Sequence, residues 1–180
     1  LDGWEIATEL TSQAVNLSGD CFGCSLVLTR DSLFVGARSD GYFDPGGYGA
    51  VYAYAKSDAG WINVQVIRPP VDAIHLYSFG TALAVDGNQM LVGAGTSDFE
   101  TPTCSGAVLA FHRDHVAWGP RQTLTVCDDS TRGFGTAIAM SGADAVIGAF
   151  GSESREAGLS RTYHLTANRW QETGVLRDPT

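Results

Sequence analysis

The sequence has 180 residues and 22 glycines, and its 11 lysines and arginines against 20 aspartates and glutamates give a net charge of −9. The basic residues form no cluster or stripe, which excludes a nucleic-acid-binding surface of the usual kind. No apolar run approaches the ~18 residues of a membrane-spanning helix, so no transmembrane helix is encoded.

The first predicted element is a strand over residues 4–10, from Trp4 to Leu10. A Trp with an aliphatic residue six positions later also ends each of three units further along the chain. These pairs are Trp61 and Ile67, Trp118 and Leu124, and Trp170 and Leu176. The N-terminal segment is therefore predicted to be the last strand of a fourth unit, without the other strands of that unit.

Each of the three units opens with Phe-Gly, and twelve residues separate this pair from a Gly-Ala pair. The Phe-Gly pairs are Phe22-Gly23, Phe79-Gly80 and Phe134-Gly135, and the Gly-Ala pairs are Gly36-Ala37, Gly93-Ala94 and Gly148-Ala149. Seven residues before each Trp stands an aromatic residue: Tyr54, Phe111 and Tyr163. Spacings that are kept three times indicate an internal repeat.

Short segments rich in Val, Ile, Leu, Tyr and Phe predict four strands in each unit. The first strands are expected over 25–29, 82–85 and 137–140, the second over 33–36, 91–93 and 145–148, and the third over 50–54, 107–111 and 161–165. The fourth strand begins at the Trp, and Asp86-Gly87-Asn88 predicts a hairpin turn. No segment shows a helical period.

These features predict an all-β fold of the β-propeller type. Residues 1–180 form one repeat domain, with four-stranded blades over 22–67, 79–124 and 134–176 and an extra outer strand over 4–10. The repeated Phe and Trp side chains are expected to pack within and between the blades rather than to bind a cofactor, and no cofactor is predicted.

The combination of Phe-Gly, Gly-Ala, an aromatic strand and Trp resembles the FG-GAP repeat of integrin α-chain propellers, in its shorter form. The resemblance extends from Trp4 to Leu176 and implies a blade fold rather than a function, because the repeated residues are structural. Arg38, Gly95 and Phe150 stand where the family has Pro. The stretches that match the family's calcium loops hold at most one carboxylate each, so no metal site is predicted.

A propeller closes with about four to eight blades, and this chain supplies three. Either the chain is a portion of a larger propeller, or it assembles with copies of itself into a ring or filament, or it is a stand-alone open arc. Because the sequence begins at Leu1 without an initiator Met, we expect a processed or excised piece. The expected partners are copies of the chain or a larger parent chain.

Four cysteines lie in loops that a propeller would place on one face. Cys104 falls between strands two and three of its unit, Cys127 falls in the next joining loop, and Cys21 and Cys24 flank Phe22-Gly23. We predict disulfides between Cys104 and Cys127 and between Cys21 and Cys24. A zinc site and free thiols are the alternatives.

Three features favour an extracellular or cell-surface location: the even cysteine count, the single lysine and a glycosylation sequon. The lysine is Lys56, and the sequon is Asn16-Leu17-Ser18, in a predicted joining loop. Asn16 is therefore a candidate glycosylation site.

The same face carries the longest loops, with aromatic residues beside carboxylates. In integrin-like propellers this face binds ligands and partners, so the resemblance makes these loops the candidate binding region. The residues are Asp40, Tyr42, Phe43, Asp44, Tyr48, Asp98, Phe99, Glu100, Glu153 and Arg155. The alternative is that the aromatic side chains pack against neighbouring blades.

Four histidines are candidate bases: His75, His112, His115 and His164. His112 and His164 hold equivalent repeat positions, which indicates a structural role. No nucleophile elbow, phosphate-binding loop or zinc-binding His pair is present in the sequence. We therefore predict a non-enzymatic chain.

The sequence as a whole predicts an extracellular module for protein–protein or cell-surface adhesion that assembles with its own copies. A glycan-binding propeller and an accessory domain of a secreted hydrolase, such as a phospholipase or a polysaccharide lyase, are the alternatives.

Overall fold

The computed structural model describes residues 8–12, 19–41, 48–70, 77–95, 106–127, 131–151 and 158–178. Within these ranges the regular structure consists of strands, with no helix, which confirms the all-β prediction. The strands form three four-stranded antiparallel sheets, one for each repeat unit. The three described sheets do not close into a ring.

Each sheet is an antiparallel meander, in which every strand pairs with the next one along the chain. The first sheet contains β1 (Phe22–Leu28), β2 (Ser32–Ala37), β3 (Ala50–Ser57) and β4 (Gly60–Ile67). The second contains β5 (Leu83–Asp86), β6 (Gln89–Ala94), β7 (Ala107–Asp114) and β8 (Ala117–Thr125). The third contains β9 (Thr131–Ser141), β10 (Asp144–Gly151), β11 (Leu159–Thr166) and β12 (Arg169–Arg177). All twelve predicted strands of the three units are present.

The short predicted turn between β5 and β6 is also present. Gly87 has a φ of 57°, a left-handed conformation that glycine adopts without a steric penalty. The Asp86 carboxylate accepts a hydrogen bond of 2.6 Å from the N–H of Gly142, which lies in the equivalent turn of the third sheet. The turns of the second and third sheets therefore contact each other.

The sheets pack face to face in chain order through two apolar cores. We call the face of a sheet that is turned toward lower residue numbers its front, and the opposite face its back. The back of the first sheet and the front of the second share a core that contains Phe34, Ile67, Phe79 and Phe111. The back of the second sheet and the front of the third share another, which contains Leu91, Leu124, Phe134 and Trp170.

The front of the first sheet has its own apolar cluster, although no described sheet covers it. Val35, Tyr52 and Tyr54 are buried there, with Leu10 and Trp61 packed against them. The predicted strand over 4–10 lies outside the described residues up to residue 7, and residues 8–10 are not in a strand. Leu10 nevertheless contacts this face.

Candidate functional site

The Phe-Gly pair of each unit forms the same tight turn. We call residues 21–24, 78–81 and 133–136 the first, second and third Phe-Gly turns. The residue before Phe has a left-handed φ in each turn, and so does the Gly: 58° and 92° in the first, 58° and 94° in the second, 66° and 91° in the third. The turns therefore share one backbone shape, although their first residues are Cys21, Ser78 and Gly133.

The first Phe-Gly turn is the one that carries a disulfide. Cys21 and Cys24 are joined, with their Cα atoms 5.5 Å apart, as the sequence predicted. The equivalent residues of the second turn are Ser78 and Thr81, which close the turn by a main-chain hydrogen bond of 3.1 Å that the cysteines also make. The Cys-x-x-Cys motif is thus a covalent closure of a repeated turn.

The second and third Phe-Gly turns insert into the sheet that precedes each of them. Phe79 forms a parallel β-bridge with Gly49, and Phe134 forms the equivalent bridge with Gly106. The Ser25 hydroxyl donates a hydrogen bond of 2.6 Å to the Gly80 carbonyl oxygen. Each turn is therefore fixed to the previous sheet through its main chain.

Glycine makes this close approach possible on both sides. We call the receiving region a socket; it is formed by the Gly of the second strand and the Gly just before the third strand. A Cβ at Gly36 would overlap the Gly80 carbonyl oxygen, and one at Gly93 would overlap the Gly135 carbonyl oxygen. A Cβ at Gly80 would stand 2.7 Å from the Ala50 carbonyl oxygen. The Phe-Gly and Gly-Ala motifs are therefore the two halves of one interface.

A glutamine side chain joins the outer strands of neighbouring sheets. The Gln65 amide donates to the Trp118 carbonyl oxygen at 3.0 Å and accepts from the Trp118 N–H at 2.9 Å. Gln122 makes the same pair of hydrogen bonds with Trp170, at 3.0 and 2.9 Å. Sequence reasoning missed this contact, although both glutamines stand four residues after a Trp. The third sheet has Gly174 at this position.

Two halves of this interface are left unfilled, one at each end of the row of sheets. In the first Phe-Gly turn, a Cβ built at Gly23 would have no atom of the described residues within 4 Å, in contrast to Gly80 and Gly135. In the third socket, a Cβ at Gly148 would meet only Ala137, at 3.3 Å. An open groove of about 450 Å³ lies at this socket, and Gly148, Ala149, Phe150, Gly158 and Leu176 contribute to its lining.

The front of the first sheet also exposes apolar side chains near its unfilled turn. Leu26 is 62% exposed and Leu28 is 70% exposed. The equivalent of Leu26 in the second sheet is Leu83, which is 8% exposed because the first sheet covers it. No described sheet therefore covers this face of the first sheet, whereas the equivalent apolar faces of the second and third sheets are buried.

Two of the predicted binding-loop residues lie within the described ranges. Asp40 is 2% exposed, and its carboxylate accepts hydrogen bonds from the Tyr52 hydroxyl at 2.7 Å and from the Arg68 guanidinium at 3.2 Å. Tyr48 packs edge-on against Tyr77, with ring centroids 5.3 Å apart. Both side chains are therefore engaged inside the chain. The other predicted binding residues lie outside the described ranges: Tyr42, Phe43, Asp44, Asp98, Phe99, Glu100, Glu153 and Arg155.

The remaining predicted cysteine and glycosylation sites are described only in part. Cys127 takes part in a disulfide. Its predicted partner, Cys104, lies outside the described residues, as does Asn16. No helix among the described residues is long and apolar enough to cross a membrane.

The histidines at equivalent positions make equivalent contacts. His112 hydrogen-bonds Gln89 at 3.0 Å, and His164 contacts Asp144 at 2.7 Å, in each case across the second and third strands of its sheet. His115 lies in the turn between β7 and β8, and His75 lies outside the described residues. In the part of the chain that the structure describes, no three His, Cys, Asp or Glu side chains are grouped as metal ligands.

The buried Tyr163, in the core between the second and third sheets, has a raised pKa that makes the stability of the fold depend on pH. Burial raises the pKa of Tyr163 to about 12, and the charge of the nearby Glu172 adds to this shift. Its hydroxyl lies 3.5 Å from the Glu172 carboxylate, which also pairs with Arg161 at 2.9 Å. The folded state therefore holds this proton more tightly than the unfolded chain does.

We expect the stability that this tyrosine contributes to be fully present below pH 10 and to be lost as the pH rises through 12. The raised pKa sets an upper limit of about 3 kcal/mol on the loss. Urea unfolding at a series of alkaline pH values measures it, with Tyr163→Phe as the comparison because other tyrosines also titrate. An identical pH dependence in the variant and the wild type would show that Tyr163 has no such role.

No protein-family model matches this chain, and no curated protein sequence matches it. The resemblance to FG-GAP repeats therefore rests on the repeated residues themselves.

Proposed function

We propose that the chain is a non-enzymatic, extracellular module of the β-propeller type that binds other protein chains, its own copies among them. The contacts are made by the front of the first sheet and the back of the third. In this proposal the three sheets are FG-GAP-like blades, and the chain serves in adhesion or in an extracellular assembly.

One observation carries the proposal: the two ends of the chain present complementary halves of an interface that the chain already makes twice within itself. The first Phe-Gly turn has the backbone shape of the two inserted turns, and no described residue obstructs its glycine. The third socket keeps Gly148 and Gly158, with an open groove above them. A head-to-tail contact between copies repeats the internal geometry, and such contacts give rings or filaments.

The disulfide supports both the location and the contact. A disulfide is typical of extracellular proteins. The second and third turns are held in shape by the sheets that receive them, whereas the first has no described sheet in front of it. The bond between Cys21 and Cys24 holds this turn in the shape that fits a socket of another copy, which lowers the conformational entropy lost on binding.

Sedimentation velocity at a series of protein concentrations tests the proposal. The wild type is expected to associate as its concentration rises. Leu26→Glu places a charge on the exposed front of the first sheet, and Gly148→Ala places a methyl group in the third socket. Each change is expected to weaken association at least about tenfold, since a charge or a steric overlap in a contact costs more than 1.4 kcal/mol.

A mixture of the two variants separates a head-to-tail contact from other arrangements. Each variant keeps the half that the other has lost, so the mixture is expected to form one-to-one dimers and nothing larger. Val116→Glu is the matched control, because Val116 is 88% exposed in a turn away from both ends. A wild type that stays monomeric at all concentrations, or a control that behaves like Leu26→Glu, contradicts self-association.

A further inference from the structure

The described N-terminal segment, residues 8–12, lies against the front of the first sheet. Leu10 packs on the apolar cluster that contains Tyr52 and Trp61. The Thr8 hydroxyl stands 4.0 Å from the point where a Cβ on Gly60 would lie, next to Trp61. The segment therefore covers the part of this face that is formed by the outer strands.

The repeat identifies the place that this segment occupies. Leu10 stands six residues after Trp4, as Ile67 and Leu124 stand after their own tryptophans. Ile67 and Leu124 belong to the fourth strands of the first and second sheets, and each is buried against the front of the next sheet. Residues 8–12 therefore lie where the fourth strand of a preceding sheet would lie.

The rest of that preceding sheet is not present in front of the first sheet in the described structure. Its first three strands would cover Leu26 and Leu28 and would receive the first Phe-Gly turn, as the first sheet covers Leu83 and receives the second turn. In the described structure, residues 8–12 thus cover this face along its outer strands, whereas Leu26 and Leu28 on its innermost strand are exposed.

We propose that residues 8–12 stand in for the fourth strand of a second copy's third sheet, and that they must leave this place before the second copy docks fully. The occupant is a second copy because the contact continues the interface that the chain's own sheets form. In that copy, β12 supplies Leu176 at the position of Leu10, and Leu176 is 57% exposed on an unassembled chain. This inference rests on the proposed function and adds that the N-terminal segment limits assembly.

The variant Leu10→Asp tests the inference, since it detaches the segment without shortening the chain. Glu9→Gln is the matched control, because Glu9 is the exposed neighbour and its replacement also alters one charge. Sedimentation velocity is expected to show at least about tenfold tighter self-association for Leu10→Asp, and no change for the control. Deletion of residues 1–12 is expected to act in the same direction, which guards against a misfolded point variant. Adding Gly148→Ala to either variant is expected to return it to the monomer, since association through the exposed front of the first sheet alone would not respond to a change in the third socket.

A second measurement uses the glutamine contact that the third sheet lacks. Gly174→Gln places an amide at the position of Gln65 and Gln122, where it reaches the Trp61 main chain of a docked copy. Two added hydrogen bonds are expected to tighten association about tenfold. The effect is expected to be largest together with Leu10→Asp.

The outcomes separate this inference from the proposed function. If the wild type associates through its two ends but neither Leu10→Asp nor the deletion tightens the contact, the N-terminal segment has no limiting role and the proposed function stands. If no variant associates at any concentration, both are wrong.

Discussion

Replacement of Gly93 by alanine is expected to destabilise the chain by about 3 kcal/mol, the upper end of the usual cost of overpacking. The added Cβ would overlap the carbonyl oxygen of Gly135, a main-chain atom of the third Phe-Gly turn. Since a main-chain atom cannot move aside as a side chain can, the turn must withdraw from its socket. The core around Phe134 would then loosen with it.

The matched change, Gly148→Ala, is expected to alter the free energy of unfolding by less than about 1 kcal/mol. Gly148 holds the same repeat position in the third sheet, but its nearest contact for a Cβ is the Ala137 methyl group at 3.3 Å. Urea unfolding followed by tryptophan fluorescence measures both variants, at a concentration low enough to keep the chains monomeric. Equal destabilisation by the two changes would show that the socket does not set the requirement for glycine.

The strands could be predicted because the three repeat units can be compared with one another. Three copies of each spacing fixed the number and order of strands, even where a single copy was ambiguous. The first strand was predicted to begin at Ser25, whereas β1 begins at Phe22. The difference arises because the pairing with β2 resumes at Phe22 and Ala37, beyond an irregularity in the register. A bulge of this kind leaves no clear signal in the hydrophobic pattern.

The candidate site was predicted less well, and for a physical reason. The sequence shows its elements, Phe-Gly and Gly-Ala, as a repeat and indicates that they pack, but their mutual contact depends on how one sheet lies on the next. The hydrogen bonds that Tyr52 and Arg68 donate to Asp40 could not be predicted from the repeat, because these three residues occur in one unit and are not repeated.

Three blades are too few to close a propeller, and the described structure shows which surfaces lie at the two ends of the row of sheets. The front of the first sheet keeps the apolar residues and the turn that a preceding sheet would cover. The back of the third sheet keeps its socket glycines, but it has Ser160, Thr162 and Gly174 where the first sheet has Val51, Ala53 and Gln65. A contact between these two surfaces is therefore expected to be weaker than the internal ones, which suits a reversible assembly.

Phe79→Ala is expected to destabilise the chain by about 4 kcal/mol, whereas Phe22→Ala is expected to cost about 1 kcal/mol. The two residues hold the same place in their turns. Phe79 is fully buried between two sheets and packs against Phe111, with ring centroids 5.8 Å apart. Phe22 is half-buried at the uncovered end of the row and contacts Tyr52 edge-on at 5.3 Å. Removal of Phe22 therefore leaves a smaller cavity and a face that water can reach.

The same pair is expected to separate stability from association. If the first turn inserts into another chain's socket, Phe22→Ala loses at least about tenfold in self-association while the monomer stays folded. Circular dichroism confirms folding, and sedimentation velocity measures association on the same sample. A folded Phe22→Ala variant that associates like the wild type would remove the first Phe-Gly turn from the contact. Such a result would leave Phe22 with a packing role in the apolar cluster and no role in association.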